Sequence, residues 1–348
     1  MANRRDFIKS SAILAASGMA GASFLSSCGT GSAEATPTSK SFLGLQTYSL
    51  GDELNADVPG GLAKIKEMGY TDLELAGYGN GKIGDVECAD YKKMAEDAGL
   101  KITSSHLSPS IWLYRPDKFD QFDEFWKKAV EDHVTLGVKY MVQPSMPNIT
   151  SRDDAKNVGE VFNRAGKFAK DAGISWGYHN HSGEFKRIAS KEEQEAADKA
   201  QREMLDQYAA MMGGGGDPEE QAALKASLAA MMSGMGSSVG ETIEELLIQN
   251  TDPSLVMFQL DVYWAVMGQQ DPCEWLEKYP DRYKLLHIKD RWIIGDSGMM
   301  NFEKIFNKAY SIGITEFFVE LEGDSKGRRQ FEGVAESAKY LINAPFVM

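Results

Sequence analysis

Short, mostly apolar runs alternate with longer stretches of helical period from Ser41 to the end of the chain. Near-continuous apolar runs are typical of strands that are buried on both faces, as in a parallel sheet covered by helices. Eight strands that each precede a helix are the content of an α/β barrel, so we predict a (β/α)8 TIM barrel over residues 41–348. The predicted strands are residues 42–48, 72–76, 102–106, 139–143, 174–179, 256–261, 284–288 and 316–321.

A glycine stands just before five of the predicted strands, where the preceding helix ends. Glycine readily adopts the left-handed conformation that closes many helices, so this recurrence predicts repeated helix-to-strand turns. The five glycines are Gly69, Gly99, Gly137, Gly173 and Gly313. An open doubly wound sheet is the competing fold, but no Gly-x-Gly-x-x-Gly turn follows the first predicted strand.

One interval breaks this rhythm, because about eighty residues separate the fifth strand from the sixth. Residues 191–212 and the stretch after the GGGGD segment predict two helices, with Asp217 as the N-cap and Pro218 at the first helical position. We therefore predict a helical insertion at about residues 190–240. Two placements are open: the hairpin packs on the barrel rim or on another subunit of a homodimer, or it covers the active site as a lid.

The first forty residues predict export rather than part of the fold. Arg4 and Arg5 precede a short apolar stretch and resemble a twin-arginine signal, while the LSSC segment ending at Cys28 resembles a lipoprotein cleavage box. We predict a signal peptide over residues 1–28, lipidation of Cys28 and a flexible tether over residues 29–40. The expected location is the periplasm or cell envelope, with a lipid anchor as the contact with the membrane. An ordinary cysteine near a cleavage site is the alternative for Cys28.

The net charge of −14 argues against a nucleic-acid partner, which needs clustered Lys and Arg to replace counterions. Apart from Cys28 the chain contains only Cys88 and Cys273, so a disulfide framework is excluded. Neither of these cysteines has metal-binding spacing. A single structural disulfide between them is an alternative to two free thiols. A small-molecule ligand is therefore the expected partner.

Polar side chains recur at the carboxyl ends of the predicted strands, where a barrel of this kind has its active site. Four of the five histidines belong to this set, although each alone is more often a structural residue than a ligand. Imidazole and carboxylate groups converging from different strands favour one divalent cation such as Mn²⁺, Mg²⁺ or Zn²⁺. Such a cation polarises a carbonyl or stabilises an enediolate, the chemistry of aldose–ketose isomerases and epimerases. The candidates are Gln46, Glu74, His106, His179, Asn180, His181, Asp261, His287, Lys289 and Glu320.

Four segments at these strand ends carry a family resemblance: GYHNH, FQLDVYWA, LLHIKDR and FFVELEG. They resemble the sugar phosphate isomerase/epimerase family of xylose-isomerase-like barrels, from Ser41 to the C-terminus apart from the insertion. That superfamily also includes ketose 3-epimerases, inosose dehydratases and a branch of abasic-site endonucleases. Its members commonly hold one metal with a Glu, an Asp, a His and a second Glu on the fifth to eighth strands. The resemblance therefore implies Asp261, His287 and Glu320 as metal ligands.

The fifth strand departs from the family pattern, because His179 stands where the epimerases have a glutamate. His179 is the preferred fourth ligand since it ends the strand itself, and His181 or Glu184 are the alternatives. Epimerases of this family use two glutamates on opposite faces of the substrate, so the change weakens symmetric epimerisation. A base at Glu320 with Lys289 or His181 as the acid suits proton abstraction followed by β-elimination, or the reverse hydration, on a keto-sugar.

Five further residues are predicted to contact the sugar: four polar residues at strand ends, because a sugar site needs several fixed polar groups, and a tryptophan just after the sixth strand, as an apolar floor under the sugar ring. These are Gln46, Glu74, His106, Asn180 and Trp264. Glu74 and His106 have an alternative role as rim residues bonded to neighbouring loops, and Trp264 has one in packing between barrel and helix.

The predicted function is that of a divalent-metal-dependent isomerase/epimerase or lyase/hydratase acting on a non-phosphorylated sugar or keto-sugar. Exported proteins meet few phosphorylated sugars, and no phosphate-cradling glycine loop precedes a helix. The alternatives are a lipid-anchored sugar-binding protein without catalysis, and a metal-dependent phosphodiesterase or endonuclease of the same barrel family. The acidic charge disfavours the second of these.

Overall fold

Eight parallel strands close into a barrel in the computed structural model, which describes residues 41–212, 217–233, 239–322 and 330–348. Their order around the barrel is their order in the chain, and the eighth strand pairs with the first. The predicted TIM barrel is confirmed, and the strand bounds agree with the predicted ones to within two residues. The strands are β1 (Gly44–Gln46), β2 (Asp72–Leu75), β3 (Lys101–His106), β4 (Tyr140–Gln143), β5 (Ser175–His179), β6 (Val256–Asp261), β7 (Tyr283–Ile288) and β8 (Phe317–Val319).

Helices surround this barrel and connect its strands. They are α1 (Gly51–Asn55), α2 (Val58–Glu67), α3 (Cys88–Asp97), α4 (Phe119–Leu136), α5 (Arg152–Asp171), α6 (Lys191–Met212), α7 (Pro218–Ser233), α8 (Ile243–Gln249), α9 (Val262–Met267), α10 (Pro272–Lys278), α11 (Phe302–Ser311) and α12 (Gln330–Asn343). Short antiparallel strands outside the barrel form two small sheets, at Tyr78–Gly79, Lys82–Ile83 and Val86–Glu87, and at Arg187–Ile188 with Glu241–Thr242.

Helix α5 illustrates how local sequence and packing act together. The Asp154 amide donates to the Ser151 hydroxyl at 3.1 Å, and the Ser151 amide donates to the Asp154 carboxylate at 2.9 Å, which satisfies exposed amides at the helix start. The Phe162 ring then packs on the outward face of β5, with centroids 5.0 Å from Trp176 and 5.0 Å from Tyr178. Burying such a side chain contributes roughly 1.5–3 kcal/mol, so this helix holds β5 from outside.

The five predicted helix-ending glycines all have positive φ, at 98°, 75°, 80°, 78° and 86° in chain order. At the end of α4, for example, the Gly137 amide donates to the His133 carbonyl at 2.9 Å and so closes the last turn. The repeated left-handed turn is confirmed, and it sends each chain segment back into the next strand.

The insertion between β5 and β6 is the predicted pair of helices, α6 and α7. The Asp217 carboxylate accepts from the Glu219 amide at 3.1 Å, as the N-cap prediction requires. The chain enters and leaves the insertion through the small sheet at residues 187–188 and 241–242, where Arg152 bridges Glu193 at 3.0 Å and Glu241 at 2.6 Å. These ion pairs tie the base of the insertion to the start of α5.

Two sequence predictions remain to be compared with the structure: the export segment at the start of the chain and the disulfide between Cys88 and Cys273. The predicted signal peptide, the predicted lipidation site at Cys28 and the predicted tether lie outside the described residues. Within the described residues, no helix is both long and apolar enough to cross a bilayer. Cys88 and Cys273 are both buried and free, so the disulfide left open between them is not formed.

Candidate active site

A cavity of about 410 Å³ opens where the barrel strands end. Small-molecule sites typically enclose roughly 300–1,000 Å³, so a monosaccharide-sized ligand fits. The predicted residues His106, His179, His181 and Glu320 lie on its wall. The complete lining consists of Tyr48, Ala76, Gly77, Tyr78, His106, Leu107, Ser108, Pro144, His179, His181, Glu320 and Glu322.

Four side chains from neighbouring strands meet at the bottom of this cavity. His179 ends β5, Asp261 ends β6, His287 lies in β7 and Glu320 directly follows β8. Each of the four offers one potential ligand atom, and these atoms all lie within 4.8 Å of one another. All four residues are buried. The structure thus brings together the four residues predicted as metal ligands.

The surroundings of the Asp261 carboxylate indicate whether this cluster suits a cation. One carboxylate oxygen, Oδ1, accepts from the Trp264 amide at 2.8 Å and so caps α9. The other, Oδ2, is buried without a hydrogen-bond partner among the described residues and lies 4.0 Å from Nδ1 of His287. Burial raises the pKa of Asp261 to about 7. A buried carboxylate oxygen without a donor is costly unless a positive group satisfies it, so the residues present fit a metal ion.

His287 lies between two carboxylates. Its Nδ1 is 3.2 Å from Oε2 of Glu320, and its Nε2 is 2.5 Å from Oε1 of Glu74. Burial alone would lower the pKa of His287, but the Glu74 and Glu320 carboxylates outweigh it and raise the pKa to about 10. In His179, by contrast, burial and the charges of the neighbouring histidines hold the pKa well below its usual range. Before a metal binds, His287 is thus charged and His179 neutral.

Lys289 is buried beside the same cluster. Its Nζ donates to Glu320 at 3.0 Å and to Glu322 at 2.8 Å, and it lies 5.4 Å from the ring centroid of Trp264. Burial would lower the pKa of Lys289, but Glu320 and Asp261 raise it above the ordinary value. Burial would likewise raise the pKa of Glu320, yet His287 and Lys289 hold it well below its usual range. The Lys289–Glu320 pair is therefore ionised at neutral pH.

His181 and Glu184, the alternatives to His179 as fourth ligand, have other partners. The Glu184 carboxylate accepts from the Tyr178 hydroxyl at 2.6 Å and from the His181 amide at 2.9 Å. The potential ligand groups found among the described residues include His179 and neither of these two. The His181 ring instead faces the cavity, 4.9 Å from the ring of His179, where it can reach a bound molecule.

The five residues predicted to bind the sugar are placed differently from one another. His106 is on the cavity wall, whereas Gln46, Glu74 and Asn180 are fully buried and are not part of the lining. The Asn180 side chain accepts from the Asp261 amide at 3.0 Å and so supports the end of β6. Trp264 is half-buried beside His181, with ring centroids 5.9 Å apart.

Sequence reasoning missed Gln259, whose side chain lies under the cluster. Its amide nitrogen donates to Glu74 at 2.9 Å, and its carbonyl oxygen is 3.1 Å from Nδ1 of His179 and 2.9 Å from Nε2 of His106. A signal was present, because Gln259 is a polar residue within an apolar strand and has the same parity as Asp261.

Comparisons with known proteins agree with this geometry. Residues 62–231 match the family described as "Xylose isomerase-like TIM barrel". A sugar phosphate isomerase/epimerase from Parabacteroides distasonis is 54% identical, covering 90% of this chain and 99% of that one, with a TM-score of 0.74. A second one from the same organism is 46% identical, covering 88% of this chain and 99% of that one, with a TM-score of 0.73.

A shorter match links the chain to an enzyme with a named activity. An inosose dehydratase from Geobacillus kaustophilus is 44% identical over 55 residues, which are 15% of this chain and only 18% of that enzyme.

The two matches to Parabacteroides distasonis proteins span nearly the whole length of those structures at well over 30% identity. The chain therefore belongs to the sugar phosphate isomerase/epimerase family of xylose-isomerase-like TIM barrels.

Proposed function

We propose that the protein is a divalent-metal-dependent enzyme that removes a proton next to the carbonyl of a non-phosphorylated keto-sugar. The observation that carries this proposal is the group of four potential ligand atoms within 4.8 Å of one another, beside a buried lysine–glutamate pair and a cavity wall. The solved relatives that match nearly the whole chain are named as sugar phosphate isomerases/epimerases, which supports an enzyme that acts on a sugar.

His179, Asp261, His287 and Glu320 would hold the metal, with Mn²⁺, Mg²⁺ or Zn²⁺ suited to this mixture of imidazole and carboxylate. When bound, such an ion supplies Lewis-acid polarisation of the substrate carbonyl. Ligands must be deprotonated to bind a metal, so loading would release the proton that His287 holds on Nδ1 towards Glu320.

Proton transfer falls to groups that reach the cavity. Glu320 and His181 both line it, and the buried Lys289 is linked to it through Glu320, to which its Nζ donates at 3.0 Å. In the proposed reaction Glu320 accepts the proton from the carbon next to the carbonyl. The electron pair of that C–H bond then forms an enolate, which expels a substituent from the adjacent carbon. The leaving group departs with a proton from Lys289 or His181.

Elimination, with hydration as its reverse, is favoured over symmetric epimerisation by the residue at the end of β5. The carbonyl oxygen of Gln259 lies 3.1 Å from Nδ1 of His179. His179 stands where the epimerases of the family have a glutamate. It thus offers a ligand nitrogen rather than a second carboxylate base. The sequence match to an inosose dehydratase supports the same direction, although it covers a small part of that enzyme.

A neutral substrate is favoured by the charges at the cavity wall. The lining includes Glu320 and Glu322 and, among the described residues, neither lysine nor arginine. A phosphate group would therefore meet carboxylates rather than a bidentate cation. This agrees with the export proposed from the first forty residues.

The test is metal analysis of the purified protein, followed by incubation with ketohexoses and keto-glycosides in D₂O. We expect a near-stoichiometric divalent ion, deuterium in recovered substrate or release of a β-substituent, and loss of the metal in Asp261→Asn. The matched control is Asp72→Asn, the same chemical change at a buried carboxylate at the start of β2, which should retain the metal.

Absence of metal in the parent protein, with none gained on adding Mn²⁺, Mg²⁺ and Zn²⁺, would contradict the proposal. Sugar binding without exchange or elimination in the metal-loaded protein would contradict the catalytic part. It would favour a sugar-binding protein instead.

A further inference from the structure

Glu74 and Gln259 meet across the inside of the barrel, beneath the candidate metal ligands. Glu74 belongs to β2 and Gln259 to β6, and both side chains are fully buried. The Glu74 carboxylate has five partners: Gln46, His106, Ser104, Gln259 and His287. So many contacts fix the carboxylate in place, and Glu74 itself is not part of the cavity lining.

The hydrogen bonds between these groups have one consistent direction. An ionised carboxylate only accepts hydrogen bonds, so the Gln259 amide group that lies 2.9 Å from Glu74 must be its NH₂ end. The carbonyl end of Gln259 is then turned towards Nδ1 of His179, 3.1 Å away. Nδ1 must therefore carry the proton, which leaves the lone pair of His179 on Nε2.

The same carboxylate orients the second histidine. Nε2 of His287 is 2.5 Å from Oε1 of Glu74 and must donate to it. The opposite nitrogen, Nδ1, lies 3.2 Å from Glu320 and 4.0 Å from the oxygen of Asp261 that has no donor. That nitrogen is the one placed among the other candidate ligands, so it is the one to which a metal would bind.

We propose that Glu74 and Gln259 are positioning residues that fix the tautomers of His287 and His179, so that each histidine presents a lone pair to the metal. This rests on the metal site of the proposed function, and it gives Glu74 a role other than the sugar contact predicted from the sequence. Groups that orient metal-binding histidines in this way typically change metal affinity by 10–100-fold when they are mutated.

Three variants test the direction of the hydrogen bonds. In Glu74→Gln the new amide has one accepting end, so whichever way it turns, either His287 or His179 receives the wrong partner. Gln259→Met keeps the size of the side chain but removes its carbonyl. The double variant Glu74→Gln with Gln259→Glu restores both directions, because the amide at position 74 can accept from His287 and donate to a carboxylate that accepts from His179.

Co²⁺ is titrated into metal-free full-length protein, and binding is followed by calorimetry and by the visible absorption of the bound ion. We expect Glu74→Gln and Gln259→Met to lose about 10–100-fold in affinity, and the double variant to recover most of that loss. Gln143→Met is the matched control, since the Gln143 amide contacts Tyr114 and the Ser145 carbonyl rather than a histidine. Thermal unfolding without metal identifies any variant that is misfolded.

The outcomes separate this inference from the proposed function. If the parent protein binds no Co²⁺, both fail. If the parent binds but both single variants bind equally well, the positioning role alone is refuted. A double variant that binds no better than folded Glu74→Gln also refutes it, because a general packing defect is not repaired by restoring hydrogen-bond direction.

Discussion

Glu244, at the start of α8, should make the stability of the protein depend on pH. It is fully buried, and its Oε1 accepts from the Tyr283 hydroxyl at 3.0 Å while Oε2 has no hydrogen-bond partner among the described residues. Burial, with a smaller contribution from the Glu184 carboxylate, raises its pKa to about 8. The protonated form is thus the one that the folded protein accommodates.

The sign and size of the effect follow from that pKa. The folded protein holds this proton up to about pH 8, whereas the unfolded chain loses it near the ordinary pKa of 4.5. The contribution of Glu244 to the free energy of unfolding is therefore fully present below pH 4.5 and is lost as the pH rises to about 8. At about 1.4 kcal/mol per pH unit, the interval corresponds to an upper limit of about 5 kcal/mol. An ionised Glu244 would also repel Glu184, which holds the backbone of His181 at the cavity.

Glu244→Gln keeps the shape of the side chain and cannot ionise. We expect its free energy of unfolding in urea to match that of the parent at about pH 4 and to exceed it by up to about 5 kcal/mol at about pH 9. Glu303→Gln, on the exposed surface of α11, is the control and should follow the parent throughout. A parent and Glu244→Gln that differ by the same amount at every pH would refute the reasoning.

Three further predictions concern the site, the fold and the anchor. If Lys289 rather than His181 protonates the leaving group, Lys289→Met should lower kcat about a hundredfold or more, while the metal content measured by elemental analysis stays unchanged. An unchanged kcat would assign that role to His181, and loss of metal would contradict the prediction. Gly173→Ala should lower the free energy of unfolding by about 1–2 kcal/mol. Its φ is 78° and no atom lies within 4 Å of the added Cβ, so an unchanged value would contradict a purely conformational penalty. Cys28→Ser should move the protein from the membrane fraction to the soluble fraction, and retention in the membrane would exclude the lipid anchor.

Much of the candidate site could be predicted from the chain because barrel topology brings strand ends together. Once eight strands are recognised, residues such as His179, Asp261 and His287 must share one end, however far apart they are in the sequence. The five positive-φ glycines were equally predictable, since the left-handed turn is a local preference of one residue type.

Contacts that depend on which side chains share the barrel interior could not be predicted in this way. Glu74 and Gln259 are 185 residues apart, and their hydrogen bond depends on the packing and tilt of strands on different sides of the barrel. The same holds for the buried pair of Lys289 with Glu320 and for the carboxylate oxygen of Asp261 that lacks a donor.

The sequence by itself determined the barrel, its insertion and the set of polar strand ends, because those features follow from local periodicity, from turn preference and from a topology that admits few alternatives. Only the tertiary structure decided which of those polar groups face the cavity and which support it from below. That distinction depends on burial and on the direction of hydrogen bonds between distant residues, and a buried carboxylate such as Glu74 looks the same in the sequence as one that meets a substrate.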